Sequence, residues 1–392
     1  MTSQRNLPAA GLRGIDLGII TAGASTSAIL ADLGADVVKI ESASYLDPFR
    51  LWDIAKTDGR WWDASPLYHF TNRNKRGVSI DLKSAAGREL ILALVRQADV
   101  VVENFRRGVL DKLGLGFAAL HAANPRIVLA SISSQGEDGP DCHAVSFGST
   151  LDATSGLAWL SGYEGGPPTI SGRDLNFPDQ VVSIFAAGSI LAALQHVAES
   201  GEGGHLDLPQ RELTSFRIGQ VVIISLRGGA ERGRMGNKAG AALLQVVFQG
   251  QDGWVAVTIA SRSEAETLIQ ELALGGNGDI AKHLSAWVAA RSKAAAADAL
   301  QRLGIPAAPV RGSADLGELS AADLGWAIVN GPDGVPAKGF PFQLQHAPLA
   351  VRSRAPALGE HTEAIRSDLL GPDRQELDAL KAAGITRDVP AR

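Results

Sequence analysis

The chain has 392 residues, is 45% hydrophobic and carries a formal net charge of −5. That balance excludes a general nucleic-acid binder, which needs a basic face, and the length favours about two domains over one core. A single cysteine, Cys142, excludes an intrachain disulfide framework and a cysteine-built metal site and points to a cytoplasmic protein, while no run reaches the roughly 18 uninterrupted apolar residues of a membrane span and "MTSQRNLPAAGLRG" lacks a signal-peptide core.

The first 135 residues alternate strand-like and helix-like stretches. "GIDLGII" (14–20) precedes "STSAILADLGA", with Ser25 as a candidate N-cap and Gly34 as a stop, and then "DVVKIE" (36–41). "VSIDL" (78–82), a helix opening at Ser84, "DVVVE" (99–103), "FAALHAAN" and "RIVLASIS" (126–133) continue the theme. Such alternation predicts an α/β fold, an open and mostly parallel sheet with helices on both faces. Ligands of such sheets sit at the carboxyl ends of the strands, after Ile20, Glu41, Glu103 and Ser133. The first turn, "TAGAST", lacks the repeated glycines of a dinucleotide site, which disfavours a nicotinamide dehydrogenase.

A long helix is expected over about 180–199, then the strand "HLDL" and a helix from Pro209 to about Leu226. The glycine- and arginine-rich 227–240 reads as a linker. "GWVAVTIA" (253–260) and two Ala-rich helices form a smaller α/β unit, so the expected division is 1–226, 227–325 and a C-terminal segment, 326–392, that returns to the large domain.

Three clusters could carry chemistry. "NRNKRG" (72–77) places three cations and two amides before a strand, as a solvated loop or as a grip on phosphate. "ENFRRG" (103–108) follows a strand end and fits either a helix-entry turn or a contact with a ring or an acid. Asp179 precedes a largely apolar helix, where it can cap the helix, act as a carboxylate held by backbone donors, or do both.

Together these segments resemble the family III CoA-transferases, typified by the formyl-CoA, carnitine and benzylsuccinate enzymes. The resemblance runs in order through "ILADLGADVVKIE", "NRNKRGVSIDLKSAAGRELILALVRQADVVVENFRRG", "GPPTISGRDLNFPDQVVSIFAAGSILAAL", "GEGGHLDLPQRE" and "APALGEH", over nearly the whole chain. It implies a Rossmann-like large domain, a smaller domain and an interlocked dimer. It also implies CoA transfer from an acyl-CoA donor, succinyl-CoA among them, to a carboxylic acid, through an anhydride and a thioester on Asp179, with no metal and no tightly bound cofactor. By the same resemblance Asn72, Lys75, Arg76, Asn104, Phe105, Arg106 and Lys112 contact coenzyme A. Arg173 is a candidate partner for a second substrate carboxylate.

The chain departs from that pattern in two places. Ser42 follows Glu41 where relatives often carry an arginine, and 239–250 is an apolar strand-like run where relatives have a glycine- and proline-bearing loop. Phe147 stands where α-methylacyl-CoA racemases have a histidine, with His143 close by but out of register, so the racemase ranks third. Because some relatives work as two different subunits, the second alternative is a weakly active partner in a heteromer with a related CoA-transferase chain.

Overall fold

The computed structural model describes residues 6–52, 54–172, 176–229, 233–238, 240–274, 279–317, 328–340, 342–371 and 374–391. Two compact units result: 1–157 with 171–223 and 325–392, and 158–170 with 224–324. Residues 158–170, expected in the large domain from sequence, group with the second unit.

The first unit is built on six parallel strands: β1 (Arg13–Asp16), β2 (Asp36–Glu41), β3 (Arg76–Ser79), β4 (Val100–Glu103), β5 (Val128–Ser131) and β6 (Gly204–Asp207). Their spatial order, β3-β2-β1-β4-β5-β6, reverses between β1 and β4, the switch point at which sheets of this kind bind ligands. Near-continuous apolar runs suit strands covered on both faces. Val37, Val100, Val102, Val128 and Ala130 pack on one side, and Ile15, Val38, Ile40, Val101 and Leu129 on the other.

Helices α1 (Ala22–Asp32), α2 (Pro66–Asn72), α3 (Ala85–Val95), α4 (Val109–Lys112), α5 (Phe117–Ala123), α6 (Gly148–Thr154), α7 (Leu157–Leu160), α8 (Phe177–Ser200) and α9 (Gln210–Arg217) follow in chain order. Ser84 caps α3 as its sequence suggests, accepting the Gly87 N–H at 2.9 Å. Ser25 does not cap α1: the helix starts three residues earlier, after Thr21, and Ser25 lies inside it. Asp179 is likewise not the cap of α8. Asn176, at φ 39°, occupies that position, Pro178 follows, and Asp179 lies in the first turn.

Among the described residues, α8 is long and apolar enough to cross a membrane, with a mean hydropathy of 1.8 over 18 residues. It nevertheless carries Asp179, Gln180, Ser183 and Gln195, and it buries Val182, Ala186, Ala187 and Ile190 in the sheet's core, as a core helix does.

The C-terminal segment closes the first unit. Arg352 N donates to Asn74 Oδ1 at 2.6 Å and Arg50 Nη2 to the Pro356 carbonyl at 3.0 Å, while His361 N donates to the Gly77 carbonyl at 2.8 Å. The second unit holds an antiparallel sheet of β7 (Leu244–Gln249), β8 (Trp254–Ile259) and β9 (Ala307–Pro309). Leu244–Gln249, within the apolar run noted in the sequence, thus supplies an edge strand. Helices Arg262–Glu271, Ile280–Ala289 and Lys293–Arg302 cover it through Leu268, Leu284, Val288 and Leu300.

Candidate active site

A cavity of about 710 Å³ opens at the switch point, over the carboxyl ends of β1, β2, β4 and β5. The turn after β1 forms its floor. There Asn104, just past β4, accepts the Ile19 N–H at 2.7 Å and donates to the Ile19 carbonyl at 3.0 Å. The approach needs glycine, since a Cβ on Gly23 would lie 2.9 Å from Asn104 Oδ1 and one on Gly18 would lie 2.6 Å from the Gly23 backbone. Ile20 is held at φ 60°, a conformation costly for a β-branched residue, on the order of 1–3 kcal/mol. Asp47 Oδ1 secures it by accepting its N–H at 3.1 Å.

Beneath this floor lies a buried charge network. Lys39 bonds the Gly18 carbonyl and sits 3.7 Å from Asp47. Arg50 pairs with Glu41 at 2.7 Å, and Tyr68 donates to the same carboxylate at 2.6 Å. Burial opposes the charge on Glu41, but the guanidinium prevails and holds its pKa at about 2.

Asp179 enters the cavity from the first turn of α8. Two neighbours fix that turn: Ser183 Oγ donates to the Asp179 carbonyl at 2.6 Å and lies 3.1 Å from the Ala22 carbonyl. Gly148 lets α6 approach, since a Cβ there would meet Asn176 Oδ1 at 2.6 Å. Burial pushes the Asp179 carboxyl up to about 7; a hydrogen bond from Gln210, at the start of α9, opposes the rise and the charge of Asp152 adds to it. Asp152 is itself buried, with Oδ2 accepting the Ser171 N–H at 2.7 Å and hydroxyl at 2.6 Å.

The residues expected from sequence divide sharply. Asn104, Phe105 and Arg106 line the cavity together with Asp179. The Arg106 side chain is exposed and, among the described residues, forms no ion pair or hydrogen bond, whereas Arg107 contacts Cys142, His143 and Glu137. Asn72, Lys75 and Arg76 do not line it. Lys75 is buried and donates to Asp16 at 2.8 Å, to Asn72 Oδ1 at 2.8 Å and to the carbonyls of Ala24 and Thr71. Arg76 pairs with Asp36 at 2.7 Å. Lys112 is exposed on α4, outside the lining, as is His143. Arg173 lies outside the described residues.

Lys83, Trp52 and Gln210, none of them expected from sequence, also line the cavity. Lys83 follows the carboxyl end of β3, so the strand-end rule could have found it. Ser42, noted as a departure, also lines the cavity, as does Phe147.

The family model described as CoA-transferase family III matches residues 10–362. The chain belongs to this family. It is 29% identical to a succinate–glutarate CoA-transferase of Agrobacterium fabrum over 93% of this chain and 96% of that one. It is 31% identical to a succinyl-CoA–D-citramalate CoA-transferase of Chloroflexus aurantiacus, over 97% and 99%. The alpha subunit of a succinyl-CoA–L-malate CoA-transferase from Chloroflexus aurantiacus is 29% identical, over 98% and 94%. Among solved structures, a CaiB/BaiF family protein from Brucella suis superposes with a TM-score of 0.85 at 28% identity, covering 93% of this chain and all of that one. The chain is therefore a CoA-transferase of α/β fold, with CoA thioesters as substrates.

Proposed function

We propose that Asp179 is the nucleophile of this CoA-transferase, with succinyl-CoA as donor and a short dicarboxylic or hydroxydicarboxylic acid as acceptor. The observation that carries the reading is a cavity-lining carboxylate on the first turn of a helix at the switch point of the sheet, whereas Glu41 and Asp47 on the same lining are paired with Arg50 and Lys39. The donors and acceptors named for the relatives supply the substrate class.

The ionised carboxylate attacks the donor thioester; its C–S bond breaks, leaving CoA thiolate and a mixed anhydride. The thiolate attacks the aspartyl carbonyl, releasing the donor acid and forming an aspartyl thioester. The acceptor carboxylate attacks that thioester, and the freed thiolate then takes the acceptor's acyl group from the second anhydride, restoring Asp179. Covalent catalysis splits one hard exchange into easier steps. One thioester replaces another, so no ATP is consumed. Burial that raises the Asp179 pKa also makes its carboxylate a stronger base and nucleophile, available once the pH passes about 7.

Arg106 and Lys83, the cations on the lining, are the proposed phosphate contacts, and Phe105 supplies apolar surface. Asn72, Lys75 and Arg76 serve the same site by fixing the strands and the turn beneath it. Self-association or pairing with a related chain fits the exposed apolar residues Ile184, Phe185 and Phe216 on α8 and α9. The similarity to both alpha and beta subunits of the L-malate enzyme keeps both assemblies open.

The test is an exchange assay with succinyl-CoA and a panel of acids without ATP. Equal amounts of succinate and new acyl-CoA are expected. Hydrolysis alone, or no reaction with any acid, would overturn the reading.

A further inference from the structure

A second cavity, of about 230 Å³, lies in the first unit on another side of the same helix turn. Asp179 lines the first cavity, whereas Gln180, Ser183 and Ile184 line the second. Its other walls come from α1 (Ser25, Ile29), from Phe70 on α2, and from the C-terminal segment (Lys338, Phe340, Phe342).

The charges here do not balance. Arg73 and Asp32 cancel through a two-nitrogen pairing at 3.1 and 2.7 Å. Among the described residues the Lys338 ammonium contacts the neutral Gln180 side-chain oxygen at 3.0 Å and the Phe70 ring at 4.4 Å, with the Asp32 carboxylate acting on it without an ion pair. Arg73 also bonds the Lys338 and Gly339 carbonyls, which fixes the lysine's backbone at the cavity edge. Lys338 is exposed as a residue, and partial desolvation of its ammonium with the nearby Arg73 charge pushes it down to about 8. An anion in the cavity would reverse that cost. Ser25, buried within α1, lines the same space, and its hydroxyl forms no hydrogen bond among the described residues.

One lysine and one hydroxyl are too few donors for a phosphate, which recruits several charged and backbone N–H groups. They suit a single carboxylate. The remaining wall is aromatic and aliphatic, so the tail of the ligand is hydrocarbon. At about 30 Å³ per water-sized group the space holds roughly seven or eight non-hydrogen atoms.

We propose that this cavity is an accessory binding site for a short aliphatic monocarboxylate, its headgroup on Lys338 and Ser25 and its chain against Phe70, Phe340 and Phe342. The occupant lies one residue along the chain from the carboxylate of the main cavity, and Ser183 touches both the accessory space and the Asp179 carbonyl. Binding here requires no turnover, so it stands or falls separately from the CoA-transfer reading.

The test is calorimetric titration of the full chain, saturated with CoA and lacking any acyl donor, with hexanoate, hexan-1-ol and hexylammonium. One saturable hexanoate site per chain is expected. Hexanol and hexylammonium should bind about tenfold more weakly or worse, and Lys338→Met should weaken hexanoate by a similar factor while Lys338→Arg stays within about threefold. Ser25→Ala should cause a smaller loss. Absence of a saturable site, equal affinity for hexylammonium, or unchanged hexanoate binding in Lys338→Met would overturn the proposal. If Lys338→Met does not fold, the ligand comparison on the unaltered chain and on Lys338→Arg decides it.

Discussion

The two basic loops look alike in sequence and serve different ends. "NRNKRG" has Arg73 on Asp32, Lys75 on Asp16 and Arg76 on Asp36, so each cation finds an acid from β1, α1 or β2. "ENFRRG" has Asn104 bracing the turn after β1, while Arg106 lines the open cavity and pairs with no acid among the described residues. The lesson is that a cation is available to a ligand only when the fold has not already matched it with a carboxylate. Asp16, Asp32 and Asp36 decide the first loop, and they are distant from it in sequence.

The comparison breaks or holds on graded substitutions. Lys75→Met leaves Asp16 buried without its partner, and a loss of about 3–5 kcal/mol in unfolding free energy is expected from denaturant titration. Arg106→Ala should leave that free energy within about 0.5 kcal/mol and raise KM for acyl-CoA about tenfold, equal to about 1.4 kcal/mol. Salt should erode the difference. If instead Lys75→Met folds normally and loses only CoA affinity, the assignment of the two loops is reversed. Arg76→Gln removes a half-exposed pair, and less than about 1 kcal/mol is expected.

Asp179 gives a pH-dependent counterpart. Its folded pKa lies above the ordinary 3.8, at about 7, so the native state binds more protons between those values and loses stability as pH rises through them. Asp179→Asn removes that penalty. The variant should be more stable than the unaltered chain by about 1–2 kcal/mol at pH 8 and indistinguishable at pH 4, as read by chemical denaturation at both values. Equal stability at pH 8 would mean that the carboxylate is less desolvated than its surroundings imply.

Local pattern made much of the sheet legible. β2 falls on "DVVKIE" to the residue, because an apolar run between Gly34 and the polar 42–44 can only be a buried strand. What it could not show is that Lys39, within that strand, is fully buried on Asp47 and the Gly18 carbonyl. The start of α8 was misread for a related reason. An Asp before an apolar helix suits a cap, but Asn176 in a left-handed conformation begins the helix and Pro178 takes the first turn, which leaves Asp179 free to face the cavity. Gln210 reaches that carboxylate only because β6 returns beside β5, a pairing that no local signal contains. Lys83 follows the carboxyl end of β3, but no cluster of charges or amides marks its loop.

The central claim is that the Asp179 carboxylate carries the CoA group. The direct measurement is mass analysis after mixing the protein with succinyl-CoA and trapping with borohydride. Reduction of an aspartyl thioester to the alcohol should change the mass of the peptide containing Asp179, and only that peptide, with no change in Asp179→Ala. An unmodified Asp179 peptide during active turnover, or full activity in Asp179→Ala, would contradict the claim.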